Sequence, residues 1–214
     1  MLKQFLYKVL LEKIGDKKEC SIDNIVEEID IDKRRLVDEL KKLNGILVDK
    51  NKVILKDKLT FTISLMKNGV SLETILLNLG WRDMEDIVGE ILKKHGYNIV
   101  KNFRFKYDDK RFEIDLLAEK LDERLIIECK KWRHLTPSMA VKIVEKHLLK
   151  AKYYIKYIGG PRLDNRNIKY NIPIIVTSFE APMKIYNGVP IISLHRFNNF
   201  LLEYKLYMNL LNII

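Results

Sequence analysis

Residues 112–132 constrain this chain most, because they place charged side chains on two strands that must pack in a sheet. The segment FEIDLLAEKLDERLIIECKKW predicts two β-strands joined by a polar turn over 120–124. Asp115 lies among apolar residues on the first strand, and Glu128 and Lys130 share one face of the second. Sheet interiors exclude charges unless these are paired or bind a metal. Two carboxylates and an amine on adjacent strands therefore predict a site for Mg²⁺ and a phosphate group.

The order Asp115, then Glu128-Cys129-Lys130, resembles the core of the PD-(D/E)xK nuclease superfamily. Within it, the sequence is most similar to the Mrr-like, restriction-endonuclease-like branch, and the resemblance extends over about residues 81–204. The chain departs from the pattern at Ile114, where the motif has proline. It departs again over 108–111, where Mrr-like proteins are rich in glycine.

The resemblance implies an α/β fold with a restriction-endonuclease-like mixed sheet flanked by helices. It also implies a metal-dependent endonuclease that hydrolyses phosphodiester bonds in DNA with Mg²⁺ or Mn²⁺. The implied catalytic residues are Asp115, Glu128, Lys130 and Glu85, and the implied metal ligands are Asp115, Glu128, Glu85 and the backbone carbonyl of Cys129.

Glu85 enters this set from a helix predicted over 83–95. It lies at the edge of an apolar stripe and matches the position of the first-helix acid of Mrr-like proteins. The alternative is an acid in the first turn that the helix dipole stabilises.

Charge points to a polyanionic partner. The net charge is +10, of which residues 81–214 carry +8 and residues 1–80 carry +2. The excess therefore accompanies the Asp/Glu/Lys cluster, although a lysine-rich surface without a partner is the alternative. No apolar run approaches the roughly 20 residues of a membrane span. The two cysteines form no disulfide framework, which favours the reducing cytoplasm.

The first 56 residues predict three helices followed by a hairpin, the order of a winged helix-turn-helix. Ser21 and Asp32 are candidate N-caps of the second and third helices. In this interpretation five basic residues contact DNA, at the start of the third helix and in the wing: Lys33, Arg34, Arg35, Lys50 and Lys52. A small helical dimerisation module is the alternative. We expect a winged-helix-like domain over 1–56, a helical connector over 57–80 and a nuclease-like domain over 81–214.

A long helix is predicted over 138–158, followed by buried strands over 173–178 and 189–194. Basic residues on this helix and just before it are candidate DNA contacts: Lys131, Arg133, Lys142, Lys146 and Lys150. Their alternative role is a solvated face. The last predicted helix, about 196–211, is strongly apolar for a terminus and suggests a homodimer.

Two other functions remain open. One is a structure-specific nuclease of the Holliday-junction type, because archaeal resolvases share the same core. The other is a non-catalytic DNA-binding or regulatory protein on a nuclease scaffold.

Overall fold

The computed structural model describes residues 2–14, 18–78, 81–132, 134–159 and 168–214. The chain divides into two compact units, Met1–Ile87 and Val88–Ile214. None of the helices in these described ranges combines the length and apolar character of a membrane span.

The first unit is mostly helical and contains a small antiparallel sheet. Its helices are α1 (Leu2–Ile14), α2 (Ile22–Ile29), α3 (Lys33–Lys41), α4 (Lys58–Lys67), α5 (Leu72–Asn78) and the first part of α6 (Trp81–Lys94). Its strands are β1 (Glu19–Ser21), β2 (Ile46–Asp49) and β3 (Lys52–Leu55), in the order β1-β3-β2. Apolar side chains of α1, α2 and α3 form the core.

Of the two N-caps predicted in this unit, one forms a capping hydrogen bond through its side chain. The Asp32 side chain accepts a hydrogen bond from the backbone N–H of Arg35, so its prediction as the N-cap of α3 is confirmed. Ser21 precedes α2, but its side chain makes no capping hydrogen bond. Instead, the Ser21 hydroxyl oxygen accepts a 3.3 Å bond from the Asn51 side chain.

The second unit is built on a six-stranded mixed sheet flanked by helices, which confirms the predicted fold class. Its strands are β4 (Asn98–Tyr107), β5 (Lys110–Lys120), β6 (Glu123–Lys130), β7 (Tyr170–Thr177), β8 (Ile185–Tyr186) and β9 (Val189–Ser193), in the order β4-β5-β6-β7-β9-β8. β6, β7 and β9 run parallel, and the other neighbours pair antiparallel. The helices are the end of α6, α7 (Pro137–Tyr157) and α8 (Leu194–Glu203), followed by a 3-10 helix, Tyr204–Leu210.

Helix α7 covers one face of this sheet. Its apolar side packs against residues of β4, β5 and β6, among them Phe105, Ile114, Leu117 and Ile126. Strict alternation along β5 predicts that Ile114 and Leu117 face opposite sides, yet both contact this one cluster.

Two predicted element boundaries were wrong. The polar turn is Leu121-Asp122 alone, because Glu123 and Arg124 belong to β6 and are 3% and 1% exposed. The predicted terminal helix over 196–211 ends at Glu203 and continues as the 3-10 helix.

Candidate active site

Asp115 lies where three strands lose their regular pairing. The β4–β5 register is continuous except at Asn102 and Asp115, and the β5–β6 pairing ends at Leu116 and Ile127. Asn102 adopts a φ of 52°, in the left-handed region that asparagine tolerates better than most residues. In place of a ladder bond, the backbone N–H of Cys129 donates to Asp115 Oδ2 at 2.7 Å. This local break brings the carboxylate close to the end of β6.

Two ammonium groups hold the Glu128 carboxylate. Lys130 Nζ lies 2.6 Å from Oε1, and Lys150 Nζ contacts Oε2. Lys150 Nζ also donates to the backbone carbonyl of Glu113 at 2.7 Å. Burial opposes the charge of Glu128, but Lys150 and Lys130 outweigh it, so the pKa of this carboxyl lies below its usual value. Glu128 is therefore ionised at neutral pH.

The two carboxylates differ in their protonation. Burial, followed by the negative charge of Glu128, raises the pKa of Asp115 to about 6. The site thus pairs a carboxylate that is ionised at neutral pH with one that gives up its proton only near neutral pH. An additional positive charge close to Asp115 would offset the repulsion between the Asp115 and Glu128 carboxylates. This property is expected of a site that takes a cation.

His147 of α7 packs against the Glu128 carboxylate. Its Nε2 lies 2.9 Å from the carbonyl oxygen of Ile126 and must donate to it, which leaves Nδ1 as an acceptor. Burial lowers the pKa of His147 to about 4, so the ring is neutral. Nδ1 has no hydrogen-bond partner among the described residues and lies 3.7 Å from Glu128 Oε2. Two acceptor atoms therefore face each other in a buried position.

A cavity of about 550 Å³ opens over this cluster. Its lining includes Glu128, Lys130 and three of the lysines of α7, Lys142, Lys146 and Lys150. Lys142 and Lys146 are exposed, whereas the side chain of Lys150 is only 15% exposed. The four-residue spacing predicts one solvated ridge, and the structure instead separates Lys150 from it, because this side chain turns towards the strands.

The remaining predicted residues lie elsewhere. Cys129 is buried in β6, and Lys131 follows this strand and is partly exposed. Arg133 lies outside the described residues. Glu85 is 5% exposed and lies on the part of α6 that belongs to the first unit, so its approach to Asp115 remains a prediction.

In the first unit the five predicted DNA contacts are all at the surface. They are Lys33, Arg34 and Arg35 at the start of α3, Lys50 in the β2–β3 turn, and Lys52 in β3. Lys33 forms an ion pair with Asp23 at 2.6 Å, and Lys52 forms one with Glu19 at 2.8 Å. Such exposed pairs contribute little free energy and exchange readily for another anion.

His147 and the inward position of Lys150 were not predicted. A signal for His147 existed, because it follows Val144 by three residues and precedes Ala151 by four, and both are fully buried. A histidine at an apolar position of a helix beside charged strands is a candidate site residue. Nothing in the sequence distinguishes Lys150 from Lys146.

Residues 76–157 match the family model described as a restriction endonuclease. The match covers less than half of the chain, which is similar to restriction endonucleases over this segment. It runs from α5 to the last residue of α7 and contains β4, β5, β6 and the whole cluster around Glu128. The matched segment therefore includes every residue that the structure brings together at the candidate site.

Other relatives are less informative about activity. An uncharacterized protein of Archaeoglobus fulgidus is 25% identical over 130 residues, which cover 60% of this chain and 94% of that protein. A crystal structure of a protein of unknown function matches at 19% identity with a TM-score of 0.40, over 58% of this chain and 66% of that one. A protein from Vibrio cholerae matches at 10% identity with a TM-score of 0.42, over 95% of this chain and 51% of its own.

Proposed function

We propose that this chain hydrolyses phosphodiester bonds in DNA and depends on Mg²⁺ or Mn²⁺. The observation that supports this most is the cluster of Asp115, Glu128 and Lys130, in which Glu128 and Lys130 line a cavity together with further lysines. Carboxylates for a divalent cation and ammonium groups for a phosphate are the parts that such a reaction needs.

The metal-ligating groups at this site suit Mg²⁺ better than a metal ion whose ligands all come from the protein. No group of three His, Cys, Asp or Glu side chains in the described ranges is arranged to hold a metal ion. Mg²⁺ usually keeps several waters and is bound by one or two carboxylates together with substrate phosphate oxygens. Asp115, Glu128 and the Cys129 carbonyl would hold it here, with Glu85 as a proposed further ligand. When bound, the ion supplies a polarised phosphate and a water of lowered pKa.

The other side chains position the DNA strand and stabilise charge. Lys130 and Lys150 each carry three N–H donors, so both can contact Glu128 and a phosphate oxygen together. Their ammonium groups are partly desolvated and would stabilise the negative charge that develops at the phosphorus. Lys142, Lys146 and Lys131, with Arg133, would contact neighbouring phosphates.

Cleavage assays with charge variants test this function. Supercoiled, linear, single-stranded and four-way-junction DNA would be incubated with Mg²⁺, Mn²⁺ or EDTA. We expect Asp115→Asn and Lys130→Met to lose at least about 10²-fold in cleavage rate while binding DNA, since each removes a group that acts on the reacting phosphate. Lys93→Met is the matched control, because Lys93 is an exposed lysine at the end of α6.

The contrary outcomes separate the alternatives. Cleavage by Lys130→Met at the wild-type rate would remove Lys130 from the mechanism. Binding of DNA by all proteins, with no cleavage of any substrate in either metal, would favour the regulatory scaffold. Preference for the four-way junction would favour the Holliday-junction type.

We propose that the first unit also contacts DNA, as a winged helix would. Support comes from the element order of α1 to β3 and from the exposed cations of α3 and the β2–β3 turn. Joint replacement of Lys33, Arg34 and Arg35 by Gln is expected to weaken DNA binding and lower its salt dependence by about 0.9 per lost phosphate contact. Lys8→Gln is the control, since Lys8 is exposed on α1. Equal effects of the two proteins would favour a dimerisation module.

We propose further that the chain forms a homodimer in the cytoplasm. The 3-10 helix and the end of α8 expose apolar side chains, including Leu202 at 68% and Leu206 at 76%. Light scattering would give the mass, and Leu206→Glu is expected to convert a dimer into a monomer. A monomeric wild type would contradict the proposal.

A further inference from the structure

A second cavity lies beside the candidate active site, at the β4–β5 hairpin. It has a volume of about 640 Å³, within the range of roughly 300–1,000 Å³ that is usual for small-ligand sites. Three cations and three aromatic rings line it: Arg104, Lys106 and Arg111, with Phe105, Phe112 and Tyr157. Nothing in the proposed hydrolysis of a phosphodiester bond requires this cavity.

The aromatic rings of the cavity are held in place before any ligand arrives. Phe105 is 5% exposed and forms the base, with its ring centroid 5.2 Å from those of Phe112 and Tyr157. The Phe105 and Phe112 rings are stacked, with an interplanar angle of 24°. Tyr157, the last residue of α7, nevertheless remains 48% exposed. A rigid ring with an open face provides a stacking surface with little ordering cost.

The cations around these rings are available for phosphate. The side chain of Arg104 is 77% exposed, and its 2.7 Å ion pair with Glu113 is open to solvent. Lys106 is 61% exposed and pairs with Asp109, while Arg111 is exposed. Exposed pairs of this kind contribute little to stability, so a phosphate can replace the carboxylate. A single exposed aromatic ring is ordinary, but rings bordered by three cations match a nucleotide.

Phe112 lines both this cavity and the cavity at the candidate active site, so the two cavities are neighbours. The backbone carbonyl of the next residue, Glu113, accepts the 2.7 Å hydrogen bond that anchors Lys150 beside Glu128. A strand whose phosphate lies at Glu128 and Lys130 can therefore place a neighbouring nucleotide at the hairpin.

We propose that this cavity binds an unpaired nucleotide of the DNA strand next to the cleaved bond, with its base stacked on Tyr157 and Phe112. Stacking of this kind accepts every base, because each has a π-face. A base within a duplex reaches such a pocket only after unpairing and unstacking, which costs free energy. The site therefore selects DNA with unpaired nucleotides beside the scissile phosphate. This inference rests on the proposed function and specifies its substrate class.

The test is a binding measurement without metal, so that no cleavage occurs. Fluorescein-labelled duplexes with and without a single-stranded arm would be titrated with wild type, Tyr157→Leu, Tyr157→Phe and Arg111→Gln, and followed by anisotropy in EDTA. We expect Tyr157→Leu to weaken binding of the armed duplex by about 5- to 100-fold, because a base loses its stacking partner. Tyr157→Phe keeps the ring and should bind as wild type does. None of these variants should alter binding of the fully paired duplex by a comparable factor.

Two further readouts keep the test decisive. A 2-aminopurine in the arm should lose fluorescence on binding to wild type and Tyr157→Phe, but much less with Tyr157→Leu. If Tyr157→Leu fails to fold, Arg111→Gln decides alone. It should weaken binding of the armed duplex and lower its salt dependence by about 0.7, the value for one phosphate of a single strand.

The outcomes separate the pocket from the proposed nuclease activity. Equal losses on armed and paired duplexes, or no loss, would overturn the pocket. Selective loss with Tyr157→Leu, in a protein that cleaves no DNA with Mg²⁺ or Mn²⁺, would support the pocket and overturn the nuclease function. Cleavage that is indifferent to Tyr157 and to unpaired arms would support the nuclease function and overturn the pocket.

Discussion

Replacing Lys150 by methionine is expected to destabilise the second unit at neutral pH. Methionine keeps the length of the side chain but removes the ammonium group that contacts Glu128 and the carbonyl of Glu113. The side chain of Glu128 is only 11% exposed, so its charge is then compensated by Lys130 alone. A buried carboxylate that loses a partner keeps its desolvation cost.

The magnitude follows from two opposing contributions. At an effective dielectric constant of about 20, an ammonium and a carboxylate about 3 Å apart attract by about 5 kcal/mol. Removing Lys150 also removes the cost of burying its own charge, and Lys130 still balances Glu128. Breaking a buried pair usually costs about 3–5 kcal/mol, and the remaining lysine should reduce the loss here to about 2–3 kcal/mol.

The dependence on pH identifies the cause. Because Lys150 and Lys130 lower the folded-state pKa of Glu128, their contribution to stability is present above the unfolded pKa of glutamate, about 4.3. It is lost as the pH falls through the folded pKa. The penalty of Lys150→Met should therefore be full at pH 7 and much smaller at pH 4, where Glu128 in the variant is protonated.

Urea unfolding followed by the fluorescence of Trp132 measures this penalty, since Trp132 lines the same cavity. Trp81 is the other tryptophan of the chain and would be replaced by Phe in the wild-type background and in each variant. Lys142→Met is the matched control, because Lys142 is exposed on the same helix and should change stability by less than about 0.5 kcal/mol. Equal losses in the two variants, or a Lys150→Met loss that is the same at pH 4 and pH 7, would refute the reasoning.

Three further predictions concern single residues. Asp115→Asn should raise stability by about 1–2 kcal/mol at pH 7.5 and by little at pH 4, as measured by thermal unfolding, because burial and Glu128 raise the folded pKa of Asp115 to about 6. The wild type therefore loses stability as the pH rises from the unfolded pKa of aspartate, about 3.9, through the folded pKa, and the loss is complete above it. His147→Leu removes the donor to the Ile126 carbonyl and should cost about 1–3 kcal/mol in urea; an unchanged midpoint would contradict that hydrogen bond. Gly45→Ala should destabilise the first unit well beyond Gly69→Ala, because a Cβ at Gly45 would lie 2.3 Å from a backbone nitrogen, whereas Gly69 has open space and an equally positive φ. Equal midpoints would contradict this difference.

Much of the fold could be predicted because short-range patterns determine it. Alternating and continuous apolar runs located the strands β5, β6, β7 and β9, and the caps and turn residues located the helices of the first unit. These patterns, together with the family resemblance, led to the mixed α/β sheet, which is confirmed. Boundaries failed where a charged residue was buried, as at Arg124, because the sequence does not show that Glu119 and Asn171 bind its guanidinium group.

The sequence by itself determined that Asp115 lies on one strand and Glu128 and Lys130 on the next, since the apolar residues around them mark both strands. Only the tertiary structure decided how these residues meet. The pairing breaks at Asn102 and Asp115, and α7 then brings His147 and Lys150 onto Glu128 from more than 15 residues away in the chain. A period along one segment contains no information about the rotation of a helix over a sheet. That rotation depends on packing against distant side chains, and it separates Lys150 from the otherwise equivalent Lys146.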